Sequence, residues 1–369
     1  MMLGGLLDAG TAPPALTRPR VTLSFGAGGG GGGGLLGGLA EAAGLGSAEA
    51  GLEAGLVRLR LHRAVAPGVD WAEMIIAPVP GGPDLPAAGD EGTIGLVAED
   101  AQSSFACTID LVEKRSDGLC RLTASNGGRM LARARAEISF ADQTPGDIID
   151  ALADEAGVTA GVGPAGEKLP RYVADSGRSL LDHVARLAAT AGRLAFFDDE
   201  GALAVVDDAA SGEAVAQLLA GTNILDMRIA KRAVEGKILV HGEGAPDQGS
   251  KAWAWLRKES AALDAEAGTA PPERGDAAPW VRSHDAATDL AGARQRALAR
   301  EASLGRFLVS AVPQAAPGVV VELSGVEGND GSWLVTEVDL TFDPARGMVS
   351  EIRAAPAGGG GGSLLGGLL

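Results

Sequence analysis

Two helix starts of the same design, set one after the other and followed by a hairpin, constrain this chain more than any other feature. Thr144-Pro-Gly-Asp147 supplies an N-cap hydroxyl, a proline suited to the first turn and an acid at the third helical position. Ile148, Ile149, Leu152, Ala153 and Ala156 then share one apolar face, and Gly157 ends the helix. Ser179 with Asp182 repeats the arrangement, burying Leu180, Leu181, Val184, Leu187 and Ala191 before Gly192. Leu194–Phe197, the turn Asp198-Asp-Glu-Gly201 and Ala202–Val206 read as a hairpin. Helices this short are stable only when packed, so the three pieces imply a small α/β module.

The segments around it follow a different period. Val21-Thr-Leu-Ser-Phe25 alternates like a strand, and Leu56–His62 puts its arginines on one face and its leucines on the other. Met74–Ile76, Thr93–Val97, Phe105–Glu113, Cys120–Ala124 and Ala136–Phe140 continue a β-rich first domain. Beyond the module come strands near Ile224–Ile229 and Lys237–His241. A polar stretch from Gly242 to His284 follows, with room for a short helix around Lys251–Ala262, and then a helix at Ala286–Ala302. Strands at Phe307–Val312, Val319–Leu323, Trp333–Phe342 and Val349–Ala354 close the chain, with turns at Asn329-Asp-Gly331 and Pro344–Gly347.

At 369 residues the chain is long enough for two or three domains. Its net charge of −17 is spread along the sequence. Such a surface argues against tight duplex binding, which needs Lys and Arg on the phosphates. It is compatible with a surface that nucleic acid passes without sticking. Cys107 and Cys120 flank Asp117-Gly118. A two-residue turn there sets Arg115 opposite Cys120, so the cysteines are not partners and the chain is expected to fold in a reducing cytoplasm. Met1–Gly10 lacks the basic and apolar regions of an export signal, and no segment reads as a membrane span.

Residues 1–55 are of low complexity, with a glycine run at Gly28–Gly34. Leu-Leu-Gly-Gly-Leu occurs at Leu35–Leu39 and Leu364–Leu368, and a relative at Leu3–Leu7. These read either as flexible ends and a loop, or as apolar patches that pack on a partner or on one another.

The chain offers no catalytic, cofactor-binding or metal-binding residues at recognisable spacing. Glycines 26–34 satisfy G-x-G-x-x-G trivially, and the first lysine is Lys114, which removes a P-loop. His62, His183, His241 and His284 form no ligand motif, and His183 reads as a surface or partly buried position beside its helix stripe. Asp198, Asp199 and Glu200 read as turn residues. Arg274-Gly275-Asp276 reads as a chance triplet in a loop. Trp253 and Trp255 would share a face in a strand, where they could anchor a partner, and splay apart in a helix; local packing is the simpler reading.

Four motifs in order resemble the late control gene D family, the hub proteins of contractile phage tails, which include Mu-like hubs and the N-terminal half of the type VI spike protein VgrG. They are Thr108–Glu113; Ser139-Phe…Gln143-Thr-Pro-Gly-Asp-Ile-Ile149; Tyr172…Leu187 with its hairpin; and Pro317-Gly…Gly331-Ser-Trp-Leu-Val-Thr-Glu-Val-Asp339. The resemblance covers residues 20–355. It departs at residues 26–55, which look like an insertion, and at Leu181, where the family has an aromatic.

The resemblance implies an α+β, mostly β, hub-type fold with two tube-like β-barrel domains and a small inserted α/β module. The corresponding divisions are 1–55, 56–142, 143–210, 211–355 and a tail at 356–369. It also implies a structural, non-enzymatic baseplate hub: a homotrimer adapting a sixfold tail tube to a threefold spike. Its expected partners are the tube protein, a separate spike protein and the tape-measure protein, with DNA or other cargo passing through the lumen and no cofactor. The particle is expected to assemble in the bacterial cytoplasm. A tail-associated cell-wall hydrolase and a β-rich adhesion or ligand-binding protein are the alternatives.

Overall fold

The computed structural model describes residues 18–26, 51–208, 212–232, 236–242, 263–269, 271–278 and 280–357. The region of Trp253, Trp255 and the expected helix near Lys251–Ala262, and the glycine-leucine repeats, lie outside them.

Strands of alternating pattern assemble into one long sheet. In chain order they are β1 (Arg20–Phe25), β2 (Leu56–Ala64), β3 (Trp71–Ile76), β4 (Glu91–Ala98), β5 (Ala101–Lys114) and β6 (Cys120–Ser125). After the inserted α/β module come β11 (Ala214–Leu219), β12 (Ile224–Lys231), β16 (Ser303–Ser310), β17 (Val320–Ser324), β18 (Gly331–Asp343) and β19 (Gly347–Pro356). The order is β1-β4-β5-β6-β3-β2-β18-β19-β16-β12, with β17 on β18 and β11 on β17. Six strands before the module and six after it therefore meet at one antiparallel seam, β2 against β18. One apolar core serves both halves, from Leu59, Met74, Phe105 and Leu122 to Phe307, Val335 and Ile352. Period-two alternation explains it: Leu59 and Leu61 enter the core while Arg58, Arg60 and His62 face outward.

The module contains α1 (Gly127–Arg133), β7 (Ile138–Gln143), α2 (Pro145–Glu155), β8 (Leu169–Ala174), α3 (Leu180–Thr190), β9 (Arg193–Phe197) and β10 (Leu203–Asp207). Both expected capping boxes form, Thr144 with Asp147 and Ser179 with Asp182. Each cap satisfies backbone donors that a helix start leaves open and is worth about 1 kcal/mol. The helices end at Glu155 and Thr190, with the last stripe residues Ala156 and Ala191 as their C-caps, and the following Gly157 and Gly192 take positive φ. Leu131, Ile149, Leu152, Leu181, Leu187 and Phe197 form the module's own core.

Four expectations need correction. Residues 136–140 were expected in the first β domain. Instead β7 pairs with β8, because Phe140, Leu169 and Ala174 bury in the module core rather than under the sheet. After β5, Lys114 stands opposite Cys120 and the Arg115 amide donates to the Leu119 carbonyl, leaving a three-residue turn with Gly118 at φ +83. That shifts the expected register by one. His183 is buried, 1% exposed, because α3 turns it toward Tyr172 rather than solvent. Arg274-Gly-Asp276 lies in a strand rather than a loop.

A third cluster packs α4 (His284–Ala302) on a small sheet of β13 (Lys237–Gly242), β14 (Asp264–Ala267) and β15 (Glu273–Ala278). Val240, Val281, Ala287 and Leu290 form its centre. Ser283 caps α4, and Asp276 pairs with Arg294 on that helix at 3.1 Å.

Candidate functional site

The outward face of the sheet carries a ladder of alternating charge. Arg121 on β6 pairs with Glu73 on β3 at 2.7 Å, and Arg58 on β2 reaches the same carboxylate at 3.6 Å. The Glu73 hydrogen bond, more than its charge, pushes the Arg121 guanidinium's pKa up. Arg60 lies over the Trp71 ring, 5.7 Å from its centroid. His62 meets Asp339 across the seam, and beyond it Arg353 on β19 meets Glu337 on β18 at 2.8 Å and Arg306 on β16 meets Glu351 on β19 at 2.6 Å. Cross-strand register puts these groups side by side, so the ladder follows from strand pairing.

Exposed apolar side chains gather near the edges of the sheet. On the edge strand β12 Leu225 and Met227 are exposed, as are Leu304 on the adjacent β16 and Val215 on β11. Exposed apolar side chains beside an unpaired strand edge are features that packing against another surface would cover.

A buried polar node fastens the module to the sheet. Arg63 on β2 donates to Asp199 at 2.6 Å and to the Phe197 carbonyl at 2.7 Å. Its Nε stands 3.8 Å from Asp70, which is fully buried. Asp70 accepts from the Ala64 backbone and from Asn126, both at 2.9 Å, and Asn126 also caps α1. Burial pushes the Asp70 carboxyl up to about 6, against the pull of Arg63. Asp199 therefore does more than turn the hairpin, since it also accepts from the Ser104 backbone of β5 at 3.2 Å.

Sequence reading missed Arg63, Asp70 and Asn126, although Asn126 before two glycines is a legible helix cap. It also missed the Tyr172–His183 pair, joined at 2.7 Å, with the other ring nitrogen 3.1 Å from the Asp175 carbonyl. Burial raises the Tyr172 phenol's pKa. On the far side of the module Arg296 and Arg300 of α4 hold the buried Asp208 at 2.6 and 2.9 Å. The module is thus tied by buried charge to the sheet and to α4.

The glycines of the resembling motifs have steric reasons. A Cβ on Gly146 would lie 2.0 Å from the Gly163 carbonyl oxygen. Gly318 has φ +82, and a Cβ there would lie 2.5 Å from the Phe196 ring. Both sites admit only glycine at these distances.

A divided sheet with an ion-paired face, apolar edges and a locked α/β insert defines an α+β, mostly β, protein. The profile of the phage tail baseplate hub family (GPD) matches residues 89–345, and the chain belongs to that family. It is a structural hub of a phage tail and a component of that particle.

Solved structures share the fold. A tail protein from Neisseria meningitidis MC58 superposes with a TM-score of 0.60 at 15% identity, over 82% of this chain and 92% of that one. The 43 kDa tail protein of prophage MuSo2 from Shewanella oneidensis gives 0.61 at 16%, over 92% and 99%. An E. coli component of the type VI secretion system, described as structurally similar to the T4 tail proteins gp27 and gp5, gives 0.54 at 12%, over 82% and 73%. No curated protein matches the chain in sequence. Among the described residues no helix is long and apolar enough to cross a membrane.

Proposed function

We propose that three copies of this chain form a ring in which each contributes two tube-like units, one built on strands β1–β6 and the other on residues 211–355, so that six similar units face a sixfold tail tube. The other side of the ring, with only threefold symmetry, would meet a separate spike protein. The observation that carries this reading is the division of one sheet into six strands before the module and six after it, joined at the β2–β18 seam. A closed heterologous ring also gives the apolar side chains at β12 and β16 a surface to cover. In this role the chain turns over no substrate, assembles in the bacterial cytoplasm and lets DNA or other cargo pass through its channel. The acidic composition suits such a channel, since positive walls would hold a polyanion.

The test is the mass of the purified chain in solution, followed by electron microscopy of particles with this chain labelled. A species of three 36.9 kDa chains and a label between tube and spike support the reading. A stable monomer with a label elsewhere on the particle overturns it, and a strongly positive measured channel potential removes the cargo argument. Cell-wall hydrolysis by the pure chain would favour the hydrolase alternative.

A further inference from the structure

His62 on β2 and Asp339 on β18 are direct cross-strand partners at the seam between the two halves of the sheet. Glu337 stands two residues away on β18 and therefore on the same face. The imidazole Nδ1 lies 2.9 Å from Asp339 Oδ1, and one donor atom from each of the three side chains lies within 4.8 Å of the other two. The ring orientation is fixed by stacking on Trp71, at a 5.7 Å centroid distance and a 20° interplanar angle. All three side chains are partly open to solvent: 20% for His62, 38% for Asp339 and 24% for Glu337. Arg353 occupies one oxygen of Glu337 and leaves the other free. Glu351, opposite Asp339 on β19, is paired with Arg306 and lies 4.0 Å from Arg353, so it is not counted as a ligand.

We propose that His62, Glu337 and Asp339 bind one divalent cation of the zinc class, clipping β2 to β18 across the seam. The donor set selects the ion. Magnesium and calcium prefer all-oxygen shells, whereas an imidazole with two carboxylates suits a borderline transition cation. Ligand atoms around a tetrahedral zinc stand about 3.4 Å apart, given bonds of about 2.1 Å. Closing from within 4.8 Å to that spacing asks for side-chain rotation and no movement of the paired strands. Three protein ligands leave a fourth position for water. The ligands come from strands joined only through tertiary pairing, so no linear motif announces them. The proposal is independent of the hub assignment.

The test uses the full chain made without a polyhistidine tag and stripped with a chelator. Titration with Zn²⁺ by calorimetry should give one ion per chain, with a dissociation constant in the micromolar range and a rise in Tm. His62→Gln and Asp339→Asn should each weaken binding at least about tenfold and abolish the rise in Tm. His241→Gln, which removes the separate pairing with Asp264, should leave both unchanged. Zinc-edge X-ray absorption on the wild-type chain should show one imidazole among oxygen donors, which keeps the test decisive if a variant fails to fold. Binding only at millimolar zinc, affinity unchanged in both ligand variants, or a shell without exactly one imidazole would overturn the proposal.

Discussion

Arg63 and Asp199 stand 136 residues apart in sequence and 2.6 Å apart in space, and their contact fixes the module hairpin to the sheet. Arg63 is buried, whereas Asp199 is 41% exposed, so the arginine carries most of the energetic weight. Its second role is to stand beside the fully buried Asp70.

Arg63→Ala should therefore destabilise the chain by about 3–5 kcal/mol above about pH 6, because it removes the donor to the Phe197 carbonyl and leaves the ionised Asp70 without its cation. Asp199→Asn, at a half-open position that keeps one acceptor, should cost about 1 kcal/mol or less. Denaturant unfolding measures both. Equal losses would mean that the hairpin contact dominates rather than the buried pair.

Gly146→Ala and Gly318→Ala should each cost about 1–3 kcal/mol, through backbone overlap at the first and a left-handed φ with ring overlap at the second. At Gly146 the clashing atoms belong to the backbone of Gly163 and Ala165, which cannot swing aside. Thermal unfolding of the pair checks this. A neutral Gly146→Ala would show that the loop at residues 160–165 can move away from α2, despite Asp150 holding the Val162 and Gly163 amides at 2.9 Å.

How far the sequence could be read follows from how local each interaction is. Both capping boxes and the hairpin were legible because cap, stripe and stop follow one another directly in sequence, as from Thr144 to Gly157. The period-two pattern likewise separated Arg58 and Arg60 from Leu59 and Leu61, and the structure turns the leucines inward. Strand partnership was not legible. Nothing near Ala136–Phe140 says that β7 joins β8 rather than the long sheet, and nothing in Arg274-Gly-Asp276 says that it pairs with β13. The buried node failed for the same reason, since Arg63 sits in a strand whose other charges all face water. His183 was misplaced because helix periodicity sets a residue beside the apolar stripe, while the partner that buries it, Tyr172, comes from a strand outside the helix.

Cys107 and Cys120 are both buried free thiols, and burial, aided by Asp110, pushes the Cys107 thiol up to about 12. Thiolate is the reactive form, so Cys107 should not react with a thiol reagent in the native chain; burial keeps the reagent from Cys120 as well, and both should react in denaturant. Rapid labelling of Cys107 at neutral pH would mean that β4 and β5 part readily around it.

The pH dependence of stability should carry the signature of Asp70. Its carboxyl is pushed from 3.8 up to about 6 by burial, so the folded chain holds this proton more tightly than the unfolded chain. The resulting stabilisation is fully present below about pH 4 and is lost as pH rises through about 6. Other carboxylates, such as Asp182, whose pKa its bond to Ser179 lowers, act in the opposite sense and mask the effect in a simple stability curve. The comparison that isolates it is wild type against Asp70→Asn. The stability of the wild type relative to the variant should fall by roughly 3 kcal/mol between pH 4 and 7 and then level off, following about two pKa steps at 1.36 kcal/mol each. Carboxyl NMR of Asp70 should give a midpoint near 6. A difference that grows with pH, or a midpoint below 4, would mean that Arg63 outweighs burial and that the node is an ordinary ion pair.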